Sequence, residues 1–382
     1  MLPMQKPLNL ELELECNMIR KIHILFLFFS VISSAQNTSL FKSIEGDFFI
    51  GKNIAHDKSL NTAIQGNSYG FMVLFNTKNN QKFKFYDLYN YPDKGFSLFY
   101  LNYNSSILGE AIGGYRHYTY NLTPTHKNQL YFTTGFGLGY ANLPYNAITN
   151  NQNFALGSNL LVSAFLKLQY FKYFLHKNIA LTSGISLVHF SNIAFKNPNL
   201  GINTVSLHFG IKYQNSSTKT KPQSEPLATS KNSHKWNYNI MVRAGYNESL
   251  IIDSGLFPFY TFSFYGSKII NNYSTLTVGA DFFNSKFLKE YIKNEAIATG
   301  KNYNANDYNR LGIFIGHELT QNHFAFVSQI GYYVYYPFPY ISRLYERFGF
   351  KYKVSKHLFS EVTLKANLFR AESLEIGLGY KF

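Results

Sequence analysis

The chain has 382 residues, of which 37 are Phe, 31 Tyr and one Trp, while charged residues make up only 15 %. So much aromatic surface excludes disorder as the main state. A mean hydropathy of −0.16, with no apolar run of ~18 residues after residue 35, excludes a bundle of transmembrane helices and suits a β-barrel.

At the N-terminus, Arg20 and Lys21 precede an apolar run from Ile22 to Ile32, and Ser33-Ser34-Ala35 follows it. This is the pattern of a secretory signal peptide with cleavage after Ala35. Met18 stands just before the basic pair, so residues 1–17 read as an over-extended start. Cleavage also removes Cys16, the only cysteine, and leaves no disulfide framework, thiol nucleophile or lipid anchor on Cys. Three bases and three acids leave together, so the exported chain keeps the net charge of +15. That charge suits a phosphate-rich partner such as lipopolysaccharide. Nucleic acid is set aside, because the chain is exported and its Lys and Arg are scattered.

Beyond residue 40 the sequence breaks into alternating segments separated by Asn, Gly, Pro and Asp clusters, which predicts strands and turns. The first set lies near 44–53, 67–77, 95–104, 108–121, 127–141, 157–174, 178–191 and 202–214. The polar stretch 216–235 has no periodicity and reads as a linker or long turn. The second set lies near 236–248, 257–268, 273–287, 308–320, 323–337, 343–354, 357–369 and 372–382.

Gly331 to Tyr340 reads GYYVYYPFPY and has the composition of an interfacial aromatic girdle. In the last ten residues Leu374, Ile376, Leu378, Tyr380 and Phe382 share one face, opposite Ser373, Glu375, Gly377, Gly379 and Lys381. An apolar outward face ending in Phe is what outer-membrane assembly machinery recognises in such barrels. The halves also share a short match: Phe171-Lys172-Tyr173 with Lys177, and Phe350-Lys351-Tyr352 with Lys356. Either duplication or chance in a biased composition accounts for it.

The expected fold is therefore all-β, a transmembrane antiparallel barrel. Residues 36–215 form a first half, 216–235 a linker and 236–382 a second half. A single barrel of about 14–16 strands is expected, with two tandem eight-stranded barrels as the alternative. Sixteen strands would enclose a wide lumen needing water or a plug.

One constellation carries chemistry. Along 178–191, Ile179, Leu181, Ile185 and Leu187 share a face with His189 and Ser191, opposite Ala180, Thr182, Gly184 and Ser186. Along 202–214, Asn203 shares a face with Val205, Leu207, Phe209, Ile211 and Tyr213, leaving Thr204, Ser206, His208 and Gly210 inward. His189, Ser191 and Asn203 thus face lipid, a costly place for polar groups. With the N-terminus periplasmic, they meet at the extracellular rim. A His and a Ser two residues apart on one strand face lie about 6–7 Å apart at Cα, so the imidazole can take the hydroxyl proton during attack on an ester. From spacing alone, a polar rim touching head groups explains the same residues. His317-Glu318 lacks a further ligand at suitable spacing, so no metal is expected, and no cofactor.

His189-Phe190-Ser191-Asn192 followed by Pro198-Asn199-Leu200-Gly201-Ile202-Asn203 resembles the PagL-type lipid A 3-O-deacylases. The whole chain looks more like the longer, Bacteroidetes-type acyloxyacyl hydrolases, on Leu88-Tyr89-Asn90-Tyr91-Pro92 with Gly95, Gly316-His317-Glu318-Leu319, and Gly331 to Pro337. The resemblance implies an outer-membrane serine esterase that removes an ester-linked acyl chain from lipid A in the outer leaflet. It makes Ser191 the nucleophile and His189 the base, with Asn192 and Gly201 at the oxyanion or substrate. The family's acid, a Glu fourteen residues after the His, is here Asn203, which can orient the ring but not stabilise its charge. The alternative is a non-catalytic barrel, a channel or a structural protein.

Overall fold

Alternation fixes these segments as strands, because successive side chains of an extended chain point to opposite faces. The computed structural model describes residues 41–77, 92–123, 128–173, 178–214, 236–304, 306–321, 323–368 and 370–382. The expected signal peptide (1–35) and linker (216–235) lie outside the described residues, as do residues 88–91 of the Leu88 to Pro92 motif and Lys177.

The strands β1 (Ser43–Ile54), β2 (Ser68–Thr77), β3 (Asp93–Asn102), β4 (Glu110–Asn121), β5 (Asn128–Ala141), β6 (Leu160–Tyr173), β7 (Ile179–Ser191) and β8 (Ile202–Gln214) pair antiparallel in chain order. The circle closes where β8 returns to β1, from Ser43 opposite Gln214 to Ile54 opposite Asn203. A second closed barrel follows: β9 (Trp236–Glu248), β10 (Leu256–Ile269), β11 (Ser274–Ser285), β12 (Asn309–Gln321), β13 (Phe324–Tyr335), β14 (Leu344–Lys353), β15 (Leu358–Asn367) and β16 (Arg370–Lys381). There β16 closes on β9.

The structure thus overturns the expected single barrel of 14–16 strands in favour of the tandem alternative. Eight strands enclose a space that side chains can fill, and here they do. The first barrel holds Phe49 stacked on Phe99 at 4.9 Å and Tyr115 edge-on to Phe165 at 5.1 Å. Beneath them Lys167 Nζ reaches Glu45 at 2.6 Å and Asp47 at 2.5 Å. In the second barrel Arg243 pairs with Glu361 (2.7 Å), Arg310 with Glu372 (2.7 Å) and Arg347 with Asp281 (2.9 Å). Charges this deep persist only when paired and hydrogen-bonded. The outer walls carry the apolar partners of the alternation, such as Phe48, Ile50, Leu207, Phe209 and Ile211, exposed as a lipid-facing band requires.

Connections differ by end. Residues 142–159 and 192–201 of the first barrel and 286–304 of the second lie at one end, with 270–273 and 354–357 at the other. Longer loops mark the extracellular end in outer-membrane barrels. The end of β7 and the start of β8 lie at the same end as residues 142–159.

Three local readings change. Strand pattern was expected to run to 287 and resume at 308, but Lys286–Thr299 is a helix, α1, with Phe287, Leu288 and Ile292 buried. It ends at Gly300, whose φ of 68° suits glycine. The aromatic run is only partly a girdle: Tyr332, Val334 and Tyr335 face out, whereas Tyr333 is inside the barrel and Phe338 and Tyr340 pack on α1. The short match between halves is not structurally equivalent, since Phe171 and Lys351 point inward while Lys172 and Phe350 point outward.

Candidate active site

Antiparallel pairing sets His189 of β7 directly opposite Asn203 of β8. Both side chains lie on the outer wall, since Val188, Phe190 and Thr204 beside them are buried inward. Directly opposed residues on one face bring their side chains into contact range, and His189 Nδ1 lies 2.9 Å from Asn203 Oδ1. With the amide oxygen facing Nδ1, that nitrogen carries the proton and Nε2 carries the lone pair. Ser191 follows two residues along the same wall, half-buried, and its hydroxyl makes no hydrogen bond among the described residues.

The β7–β8 loop, 192–201, holds the far side of the site. Asn192 is turned into it: its backbone N–H donates to Asn199 Oδ1 (2.9 Å) and its Nδ2 to the Lys196 carbonyl (2.7 Å). With only 3 % of its surface exposed, Asn192 braces the loop, and both its backbone and side-chain donors are engaged there. The next two residues, Ile193 (φ 57°) and Ala194 (φ 61°), are both left-handed. Neither β-branched Ile nor Ala adopts that conformation without cost. Their backbone N–H groups make no hydrogen bond among the described residues.

Gly201 lies against the imidazole. Its N–H donates to the Ala155 carbonyl (2.9 Å), and its φ of 72° is left-handed. A Cβ there would stand 2.7 Å from His189 Cε1. The glycine therefore backs the imidazole, and only a residue without Cβ lets the ring lie there. Leu200 is held on both sides, its N–H on the Phe154 carbonyl (3.1 Å) and its carbonyl 3.0 Å from His56 Nε2. His56 escaped sequence reasoning because it sits in a polar connection with no periodicity.

The remaining candidates separate. His208 is inward and buried. His317 faces outward and bonds Ser274 Oγ (2.6 Å), whereas Glu318 faces inward onto Lys351, so the two cannot share an ion. In the second barrel Asn367 points inward to Glu372 and Tyr333. Among the described residues no group of three potential ligands comes together to hold a metal.

The wall site is thus an imidazole held by an amide oxygen, a neighbouring hydroxyl and two unengaged N–H groups just after it. Residues 56–212 match the family model described as Lipid A 3-O-deacylase (PagL), and residues 236–382 match the model described as Acyloxyacyl hydrolase, C-terminal domain. Among solved structures, the outer membrane enzyme PagL is similar at 15 % identity, over 44 % of this chain and 97 % of that one, with a TM-score of 0.32. CdiB from Acinetobacter baumannii is similar at 9 % identity over 89 % of this chain and 60 % of that one (TM-score 0.19). The Pseudomonas putida toluene transporter TodX is similar at 10 % identity over 89 % and 88 % (TM-score 0.17). Likeness at these scores carries no functional weight. No curated protein matches the chain.

Proposed function

We propose that this chain, whose two halves match the models described as Lipid A 3-O-deacylase (PagL) and Acyloxyacyl hydrolase, C-terminal domain, removes an ester-linked acyl chain from lipid A by a Ser-His mechanism. The observation that carries this reading is the 2.9 Å contact of His189 Nδ1 with Asn203 Oδ1 on the outer wall, with Ser191 two residues along the same face.

In this mechanism Asn203 holds the tautomer that leaves Nε2 free to accept a proton. Ser191 Oγ attacks the ester carbonyl as His189 Nε2 takes the hydroxyl proton. The oxyanion formed is met by the N–H groups of Ile193 and Ala194, whose left-handed backbone is the kind of strain that functional sites retain. Collapse breaks the bond to the sugar oxygen, which leaves with the proton from His189. Water, deprotonated by the same imidazole, then attacks the acyl-serine and releases the fatty acid. The substrate's acyl chain lies along the apolar wall of β7 and β8, among Leu187, Val205 and Leu207. The net charge of +15 favours the phosphorylated headgroup.

Mass spectrometry of lipid A from cells making the protein tests this, beside Ser191→Ala and His189→Ala. The expected result is loss of one acyl mass with the wild type and with neither variant. An unchanged profile in all three, with every barrel folded in the membrane, overturns the proposal.

A further inference from the structure

The two barrels pair no strand with each other, yet they meet by hydrogen bonds on the loop behind Ser191. Asn197 N–H donates to Glu248 Oε2 (2.5 Å), and Asn197 Nδ2 donates to the Ser249 carbonyl (2.6 Å). In return Glu248 N–H donates to the Ala194 carbonyl (3.2 Å). Glu248 ends β9 of the second barrel, and Ala194 and Asn197 belong to the β7–β8 loop of the first. All four residues are buried.

This seam has two uncommon properties. Glu248 is a buried carboxyl that forms no ion pair among the described residues. Among the described residues its other oxygen meets only Gly255 N–H, at 3.4 Å. Burying such a group is costly unless N–H donors satisfy it, and the donor at 2.5 Å comes from the other barrel. The seam also grips Ala194, one of the two left-handed residues that follow the serine and its neighbour. A strained segment persists only where its surroundings over-determine it. On the opposite flank the same loop is held by Phe154, Ala155 and His56. The second barrel therefore supplies one of the two sides of a clamp.

We infer that Glu248 is a positioning residue for the active site, and that the second barrel serves catalysis by fixing the loop that carries Ile193 and Ala194. The inference rests on the reading of Ser191 as the nucleophile. It gives the second barrel, which carries no copy of the His-Ser-Asn constellation, a part in the reaction of the first.

The test uses the full-length protein in outer-membrane vesicles, with deacylation kinetics on lipid A and the rate of Ser191 labelling by a fluorophosphonate probe. Glu248→Ala leaves the Asn197 N–H without its acceptor. Its kcat and its labelling rate are expected to fall about 10- to 100-fold with KM little changed, as for a displaced catalytic element. Glu248→Gln keeps a side-chain oxygen for that N–H and is expected to recover to within about three-fold. Asn197→Ala loses only the side-chain bond to the Ser249 carbonyl and keeps its backbone N–H on Glu248, so it is expected to lower both rates less than Glu248→Ala does. Heat-modifiable migration on gels reports whether each variant folds.

Folded Glu248→Ala and Asn197→Ala proteins that work and label like wild type overturn the inference, as does an effect confined to KM. If neither variant folds, the seam is a folding requirement and the positioning role is overturned as well. A wild-type protein that neither deacylates nor labels at Ser191 instead removes the reading beneath it.

Discussion

Asn203 accepts a hydrogen bond from His189 as a carboxylate would, but in the proposed mechanism it brings no charge to the imidazolium of the transition state. Restoring the charge in place is therefore expected to help: Asn203→Glu should raise the deacylation rate, by roughly 10-fold or more, measured as acyl release per unit time. Asn203→Leu removes the orienting oxygen and should lower the rate about 100-fold while leaving the barrel folded. Gly201 offers a steric probe of the same ring. Gly201→Ala puts a methyl group 2.7 Å from His189 Cε1 at a φ of 72°, so the imidazole must turn away. A loss of about 100-fold in kcat with unchanged gel migration is expected. The His-Ser-Asn set was legible because period two and one motif place it on one wall. The bonds that engage the Asn192 and Gly201 N–H groups were not, since no spacing reveals that Asn199 or Ala155 accepts from them.

Strands were readable almost residue by residue, because each must satisfy lipid on one face and a crowded interior on the other. The interior itself is set by partners from distant strands. Lys167 of β6 meets Glu45 and Asp47 of β1 only after the barrel closes. Lys167→Met would leave two buried carboxyls without their cation and is expected to destabilise the first barrel by about 3–5 kcal/mol. The check is the urea concentration at which heat-modifiable migration is lost. Helix α1 escaped the strand reading because its apolar residues, Phe287, Leu288 and Ile292, follow directly on alternating β11. A change of period from 2 to 3.6 within a few residues is hard to see in a short window.

Closure is a property of the whole chain, and here local pattern was silent. Whether β8 pairs with β1 or with β9 leaves every alternating segment unchanged, so sixteen strands were legible and their division into two circles was not. The division follows from what fills the space: Arg243, Arg310 and Arg347 with their acids leave no wide lumen to plug. Since β9 pairs with β16 and not with the first barrel, residues 236–382 expressed alone and refolded in detergent are expected to give a heat-modifiable barrel. Failure to refold while the full chain succeeds would show that the second circle depends on the first.

His189, Ser191 and Asn203 stand on the outside of a wall, not in a cavity. On the proposed reading, the site has only one side made of protein, and the bilayer supplies the other. Substrate then arrives by sliding sideways within its own leaflet, and the concentration that governs turnover is a mole fraction in two dimensions, not a molarity in water. Diluting lipid A with an inert amphiphile at constant total concentration should therefore slow the enzyme, although nothing in the aqueous phase has changed.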